Sequence, residues 1–201
     1  GVSDLTKGEI EEIFRKTDEL KSKPDKFSRA LQGKSLGLIF QKPSNRTRVS
    51  FEVGIAQLGG YAIYLGPDEI QLGVREEIRD VARTLSRYLD CIVARTFSHD
   101  DVIELARHSS IPVINGLSDL THPCQGLSDL YTVKEKMGRL KGLKIAYIGD
   151  GNNVLHSLLL GCSIMGMDIS IATPKGHEPR RDILHQAFEK SKKSGARITL
   201  L

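Results

Sequence analysis

The chain has 201 residues, 39% of them hydrophobic and 27% charged, with a net charge of +4 from 29 basic and 25 acidic side chains. This is a globular balance with no apolar run as long as a membrane span, and the basic excess is too mild and dispersed for nucleic acid or a membrane surface, though it suits a small anionic ligand. The three cysteines, Cys91, Cys124 and Cys162, are scattered without a CxxC spacing, which predicts a reducing compartment and excludes a disulfide or zinc framework.

The opening GVSDLTKGEIEEIF is charged and helix-patterned, unlike a secretion signal. Leu5, Ile10, Ile13, Phe14 and Leu20 fall near helical spacing and predict a helix over 4–21. A polar stretch broken by Pro24 leads to SLGLIF, a buried strand over 35–40. A helix is predicted over about 47–58, closed by Gly59-Gly60, and YAIYLG follows as a strand. PDEIQLGVREE lacks periodicity and reads as a polar loop. Then come a helix (REEIRDVARTLSRYL), a strand (CIVARTF), a helix (HDDVIELARHS), a strand (IPVING) and a longer helix (HPCQGLSDLYTVKEKMG). Alternation of this kind predicts a mainly parallel sheet covered on both faces. From GLKIAYIGDGNN the pattern runs strand, loop, helix, strand, then the helix EPRRDILHQAFEKSKKSG and a strand in ARITLL. The reading is α/β, with two doubly wound parallel-sheet units divided as 1–138 and 139–201. The second, with two or three strands, is expected to be truncated.

KPSNRTRVSFE (42–52) concentrates hydrogen-bond donors where a strand turns into a helix. The first backbone N–H groups of a helix have no partner inside it and favour negative charge. Ser44 and Thr47 add hydroxyls, Asn45 an amide, and Arg46 a guanidinium fork that matches phosphate oxygens. At the carboxyl end of a parallel strand, where open α/β sheets bind ligands, these make a phosphate-sized cluster. The GxxxxGK[ST] spacing is absent, so the turn is not a Walker loop. The same residues also have a structural reading: Ser44 or Asn45 caps the helix, and Arg48 pairs with Glu52 one turn on, which for that pair is preferred. VARTF places Arg95 at another strand end, and LTHPCQ places His122 and Gln125 where a loop enters a helix. A lone histidine is more often structural, but its convergence with two arginines at strand ends of one predicted sheet points to a site.

IGDGNN carries Gly149 and Gly151 in a GxG spacing. Val154 replaces the third glycine of a dinucleotide fingerprint, and the next strand closes as Ala172-Thr173-Pro174 without an acidic residue, so no nicotinamide cofactor is expected. His156 and Ser157 read as packing or capping residues, Cys124 as turned away from the site, and Cys91 and Cys162 as core.

In order, FQKPSNRTRVSFE, VART, HPCQ and GDGNNVLHSL resemble the ornithine carbamoyltransferases. The family's first signature usually reads S-T-R-T-R; Asn45 stands in the threonine's place and still offers an amide donor, so an altered contact is expected there. The family's later S-M-G and H-C-L-P motifs are absent from these residues, which on the resemblance implies a truncated chain. The resemblance implies transfer of the carbamoyl group of carbamoyl phosphate to L-ornithine, giving L-citrulline and phosphate, in arginine biosynthesis or catabolism. It implies neither metal nor cofactor. On it, Ser44, Asn45, Arg46 and Thr47 hold the phosphate, and Arg95 bridges phosphate and carbonyl oxygen. His122 stabilises that oxygen together with Thr47 and Arg95, these three being the catalytic residues. Gln125 accepts from the carbamoyl NH2, Gln71 reaches carbamoyl phosphate across a subunit boundary, and Asn153 binds the ornithine backbone. The assembly implied is a homotrimer or a multiple of trimers, in the cytoplasm, with no nucleic-acid or membrane partner. Aspartate carbamoyltransferases carry a basic residue at the Asn152–Asn153 loop, so two neutral asparagines favour ornithine. Another amine such as putrescine or a modified ornithine, aspartate, and a non-catalytic carbamoyl-phosphate-binding fragment stay open as alternatives.

Overall fold

β1 (Ser35–Phe40) is buried along its whole length, as its uncharged sequence requires of a strand covered on both faces. The computed structural model, which describes all of residues 1–201, pairs it in parallel with β2 (Tyr61–Leu65) on one side and β3 (Cys91–Arg95) on the other, and β3 pairs in parallel with β4 (Val113–Leu117). The sheet order is β2-β1-β3-β4. Alternate residues face opposite layers. Leu36, Leu38, Phe40 and Val93 pack with Ile55 of α2 (Asn45–Gln57). Ile39, Ile92 and Ala94 pack with Val81 and Ala82 of α4 (Ile78–Leu85) and with Val102 and Leu105 of α5 (His99–His108). The opposite end of the sheet is stapled by Asp90, which accepts from Lys34 Nζ at 2.7 Å, from Ser35 N at 2.9 Å and from Ser35 Oγ at 3.1 Å.

A second parallel sheet of order β5-β6-β7 joins Lys144–Ile148, Asp168–Ala172 and Ile198–Leu200. Its cover is α7 (Asn153–Met165), whose residues from Leu155 to Met165 are all buried. That helix packs on α6 (Pro123–Met137) and on α8 (Arg181–Ser194). A helix apolar on every side is a core helix; Leu155, Leu159 and Leu160 meet Ile169 and Ile171 of β6, Ile183 of α8 and Leu130 of α6 in one cluster. The cluster also takes in Ile10 and Phe14 of α1 (Lys7–Ser22), and the Phe14 ring meets the Tyr131 ring at a tilt of 58° with 5.5 Å between centroids.

The chain forms two compact units, Lys16–Asp119 and Gly1–Arg15 with Leu120–Leu201. Both are α/β with parallel sheets, as the alternation predicts. In detail the helix predicted over 75–89 is confined to Ile78–Leu85, and the stretch read as a polar loop holds a four-residue helix, α3 (Pro67–Ile70). Pro67 at its first position has a preset φ and no N–H to waste, which suits a helix start. One turn is too short to register as a 3.6-residue period.

Candidate functional site

The strand order reverses at β1, whose successor β2 lies on one side and β3 on the other. The carboxyl ends of β1 and β3 therefore flank a topological switch point, where loops diverge and leave a crevice. Phe40 and Arg95 are register partners at that end, and Gln41 N donates to Arg95 O at 2.9 Å. Three of the predicted anion ligands are built here. Ser44 is the N-cap of α2, its Oγ accepting from Thr47 N at 3.3 Å. Arg95 Nη1 donates to Thr47 Oγ1 at 3.5 Å. Arg46 is exposed in the first turn, and Asn45 opens the helix. The capping reading of Ser44 and the donor reading coexist, because a hydroxyl that accepts from the backbone keeps its own proton to donate. Arg48 instead pairs with Glu52 at 2.9 Å and lies over the Tyr64 ring at 3.7 Å, as its spacing predicts.

Arg95 is half-buried and forms no ion pair, and its Nε is buried without a hydrogen bond. Burial pushes its pKa down. Lys42, three residues before Asn45, sits 4.9 Å from the centroid of the Phe97 ring. Burial and then the charge of Arg95 lower its pKa, against an opposing pull from Asp119. Two desolvated cations beside hydroxyls and helix N–H groups attract an anion that relieves both. Sequence reasoning did not single out Lys42; its signal was a third cation in the same turn. Gln41 orders the crevice from behind, accepting from Phe97 N at 2.7 Å and donating to Asp101 Oδ2 at 2.8 Å.

Gln71 lies on an exposed turn of the same unit, and it is the one non-glycine residue with positive φ, at 42°. Left-handed backbone costs a residue with a Cβ about 1 kcal/mol. The turn is anchored by Leu72, buried in the core, whose carbonyl lies 3.5 Å from Gln41 Nε2.

The other predicted residues belong to the second unit. His122 is the N-cap residue of α6, half-buried, with its backbone N–H donated to Ser157 Oγ at 2.8 Å and to Asn153 O at 3.2 Å. Gln125 is exposed one turn on, its amide nitrogen bonded to Asp129 at 2.8 Å. Asn152 caps α7, accepting from Val154 N at 3.0 Å and Leu155 N at 3.2 Å, a structural role. Asn153 begins the helix. Gly151 has no side chain because Glu178 and Pro179 occupy the space a Cβ would need. In a dinucleotide fingerprint that space belongs to pyrophosphate; here the chain's own backbone fills it. Cys162 is buried, with its thiol pushed up to about 12, and burial also raises Cys124, so neither is a thiolate nucleophile.

Cations, hydroxyls and a helix N-terminus thus gather at the switch point of the parallel sheet of the first α/β unit. Residues 1–135 match the aspartate/ornithine carbamoyltransferase carbamoyl-P binding domain, and residues 141–201 match the Asp/Orn binding domain of the same proteins. The chain belongs to the aspartate/ornithine carbamoyltransferase family. It is 50% identical to an ornithine carbamoyltransferase of Thermococcus kodakarensis, covering 100% of this chain and 64% of that protein. With that of Bacillus subtilis it shares 51% identity, covering 99% of this chain and 62% of the relative. The solved ornithine carbamoyltransferase of Pyrococcus furiosus superposes with a TM-score of 0.96 at 48% identity, covering 100% of this chain and 65% of that one. The chain thus spans less than two thirds of these relatives' length.

Proposed function

We propose that this chain serves carbamoyl transfer from carbamoyl phosphate to L-ornithine, with residues 1–138 binding carbamoyl phosphate and 139–201 contributing to the ornithine side. The observation that carries this reading is the donor cluster of Ser44, Thr47 and Arg95 at the β1/β3 switch point, within the segment matched by a carbamoyl-P binding domain. The neutral amine of ornithine attacks the carbonyl carbon. The bond from that carbon to the phosphate oxygen breaks, phosphate leaves with the bonding pair, and the nitrogen gives up its extra proton to the departing phosphate. No protein nucleophile is needed. The protein's task is to hold the phosphate and stabilise charge on the carbonyl oxygen.

Ser44, Asn45, Arg46 and Thr47 take the phosphate, with Lys42 adding charge, and Arg95 and His122 serve the carbonyl oxygen. Gln125 meets the carbamoyl NH2, and Asn153 meets the ornithine backbone. Gln71 completes a neighbouring copy's site in a homotrimer, and the protein works in the cytoplasm. No helix is long and apolar enough to cross a membrane. Neutral Asn152 and Asn153 at the second-substrate loop favour ornithine over aspartate, whose extra carboxylate calls for a cation. The test is product formation from carbamoyl phosphate with ornithine, putrescine and aspartate offered in parallel. Citrulline is expected; turnover of another amine alone replaces the substrate, and binding of carbamoyl phosphate without turnover of any amine reduces the function to binding.

A further inference from the structure

The loop that carries His122 is clasped by two adjacent residues of α7. His156 and Ser157 are 3% and 0% exposed. The His156 ring is engaged at both nitrogens: Nδ1 lies 2.8 Å from Leu120 O, and Nε2 lies 3.1 Å from Arg180 N. A carbonyl only accepts and a backbone N–H only donates, so the partners assign the neutral tautomer with its proton on Nδ1. Burial lowers the pKa of this ring first and Arg180 adds to the effect, against the Leu120 carbonyl and Asp182, which keeps Nε2 an acceptor. Ser157 Oγ accepts from His122 N at 2.8 Å. Gly126 of α6 leaves room for this approach: a Cβ there would lie 2.8 Å from Ser157 Cβ. The clasp continues outward, since the segment that includes Arg180 also packs on the asparagine loop, where Gly151 N donates to His177 O at 2.7 Å.

We propose that His156 and Ser157 are positioning residues that set the placement of His122 and join it mechanically to the Gly151–Asn153 loop. Leu120 O and His122 N are fixed two residues apart by neighbouring side chains, which leaves the backbone of His122 little freedom to turn. The same ring fixes Arg180, so a shift of the asparagine loop and its partner segment reaches His122 through His156 as well as through the bond from His122 N to Asn153 O. The inference rests on the carbamoyl-transfer reading only for its consequence in catalysis.

Three variants separate the bonds. Ser157→Ala removes the nearer of the two acceptors for His122 N, leaving Asn153 O at 3.2 Å. His156→Asn keeps a donor near Nδ1 and loses the acceptor for Arg180 N. His156→Gln sets a carbonyl oxygen near Nε2 and loses the donor to Leu120 O. Amide hydrogen exchange, read by NMR without any substrate, is expected to speed up roughly tenfold at His122 in Ser157→Ala, and at Arg180 in His156→Asn but not in His156→Gln. The His122 ring resonances are expected to move in Ser157→Ala and His156→Gln. In turnover, these two are expected to lose roughly tenfold or more in kcat with KM for carbamoyl phosphate within about twofold, the mark of a group misplaced only for the transition state. Unprotected His122 and Arg180 amides in the parent protein would overturn the clasp. Unchanged His122 resonances and kcat in Ser157→Ala, with its His122 amide exchanging faster, would overturn the positioning role. A parent that makes no citrulline yet shows the expected exchange pattern and ring shifts supports the positioning of His122 and sinks the functional reading alone.

Discussion

Arg95 is held in place on one side only. Thr47 accepts from Nη1, Nε is buried without a hydrogen bond, and no carboxylate pairs with the guanidinium. A half-buried cation in that state is set to receive an anion, and a charge-assisted hydrogen bond to it is worth about 1.5–3 kcal/mol. Arg95→Ala and Arg46→Ala are each expected to weaken phosphate and carbamoyl phosphate binding by roughly tenfold to 150-fold in isothermal titration. Unchanged affinity in both would place the anion elsewhere. For His122 the transition-state role and the packing role diverge in kinetics. His122→Ala is expected to cut kcat by more than it raises KM, and His122→Asn, which keeps a donor, to lose less. Near-parent kcat with a lowered melting temperature in both variants would make His122 a packing residue.

At the scale of elements, α7 dominates the second unit because it is buried from Leu155 to Met165. Leu159→Ala removes a fully buried side chain from that cluster and is expected to cost about 2–5 kcal/mol, measured by denaturant unfolding. Val74, 84% exposed on the Gln71 loop, gives the contrast: Val74→Ala is expected to stay within about 0.5 kcal/mol. The staple at the start of β1 and β3 depends on pH. Lys34, the Ser35 N–H and, less, the Ser35 hydroxyl hold the Asp90 carboxyl down from 3.8 to about 2, against an opposing effect of burial. A depressed carboxylate stabilises the fold in full above its unfolded pKa. Its share declines as pH falls below 3.8 and is gone below about 2. Asp90→Asn is therefore expected to be less stable than the parent near neutrality, with the gap closing across that acidic window. A gap that does not change with pH would show that the charge of Asp90 contributes nothing.

The whole molecule raises the question of assembly. Gln71 stands on an exposed turn with left-handed backbone, which fits a residue working on a neighbouring copy. If the proposed trimer shares its sites, Gln71→Ala and Arg95→Ala damage the same site from different chains. Mixed subunits of the two variants are then expected to recover part of the activity that each lacks alone. Light scattering that gives a monomer with full activity, or mixtures as inactive as their components, would rule out shared sites.

Local sequence by itself determined much of this protein. Uncharged SLGLIF and VLHSLLLGCSIM suit a buried strand and a buried helix, because burial on every side leaves no place for a charged residue, and the polar residues they do hold are hydrogen-bonded. The donors of SNRT, the arginine of VART and the histidine of HPCQ were legible as strand-end or helix-start groups, because caps and turns act within a few residues. Tertiary structure alone decided that β3 lies beside β1, which brings Arg95 to Thr47 across 48 positions. It also decided that the two glycines of IGDGNN belong to a loop packed on Glu178 and Pro179, and that His156 and Ser157, read as packing residues, grip the His122 loop. Strand order and such cross-chain grips come from pairings between distant segments, chosen by which faces must be buried together, and a periodicity confined to one segment carries no record of its partner.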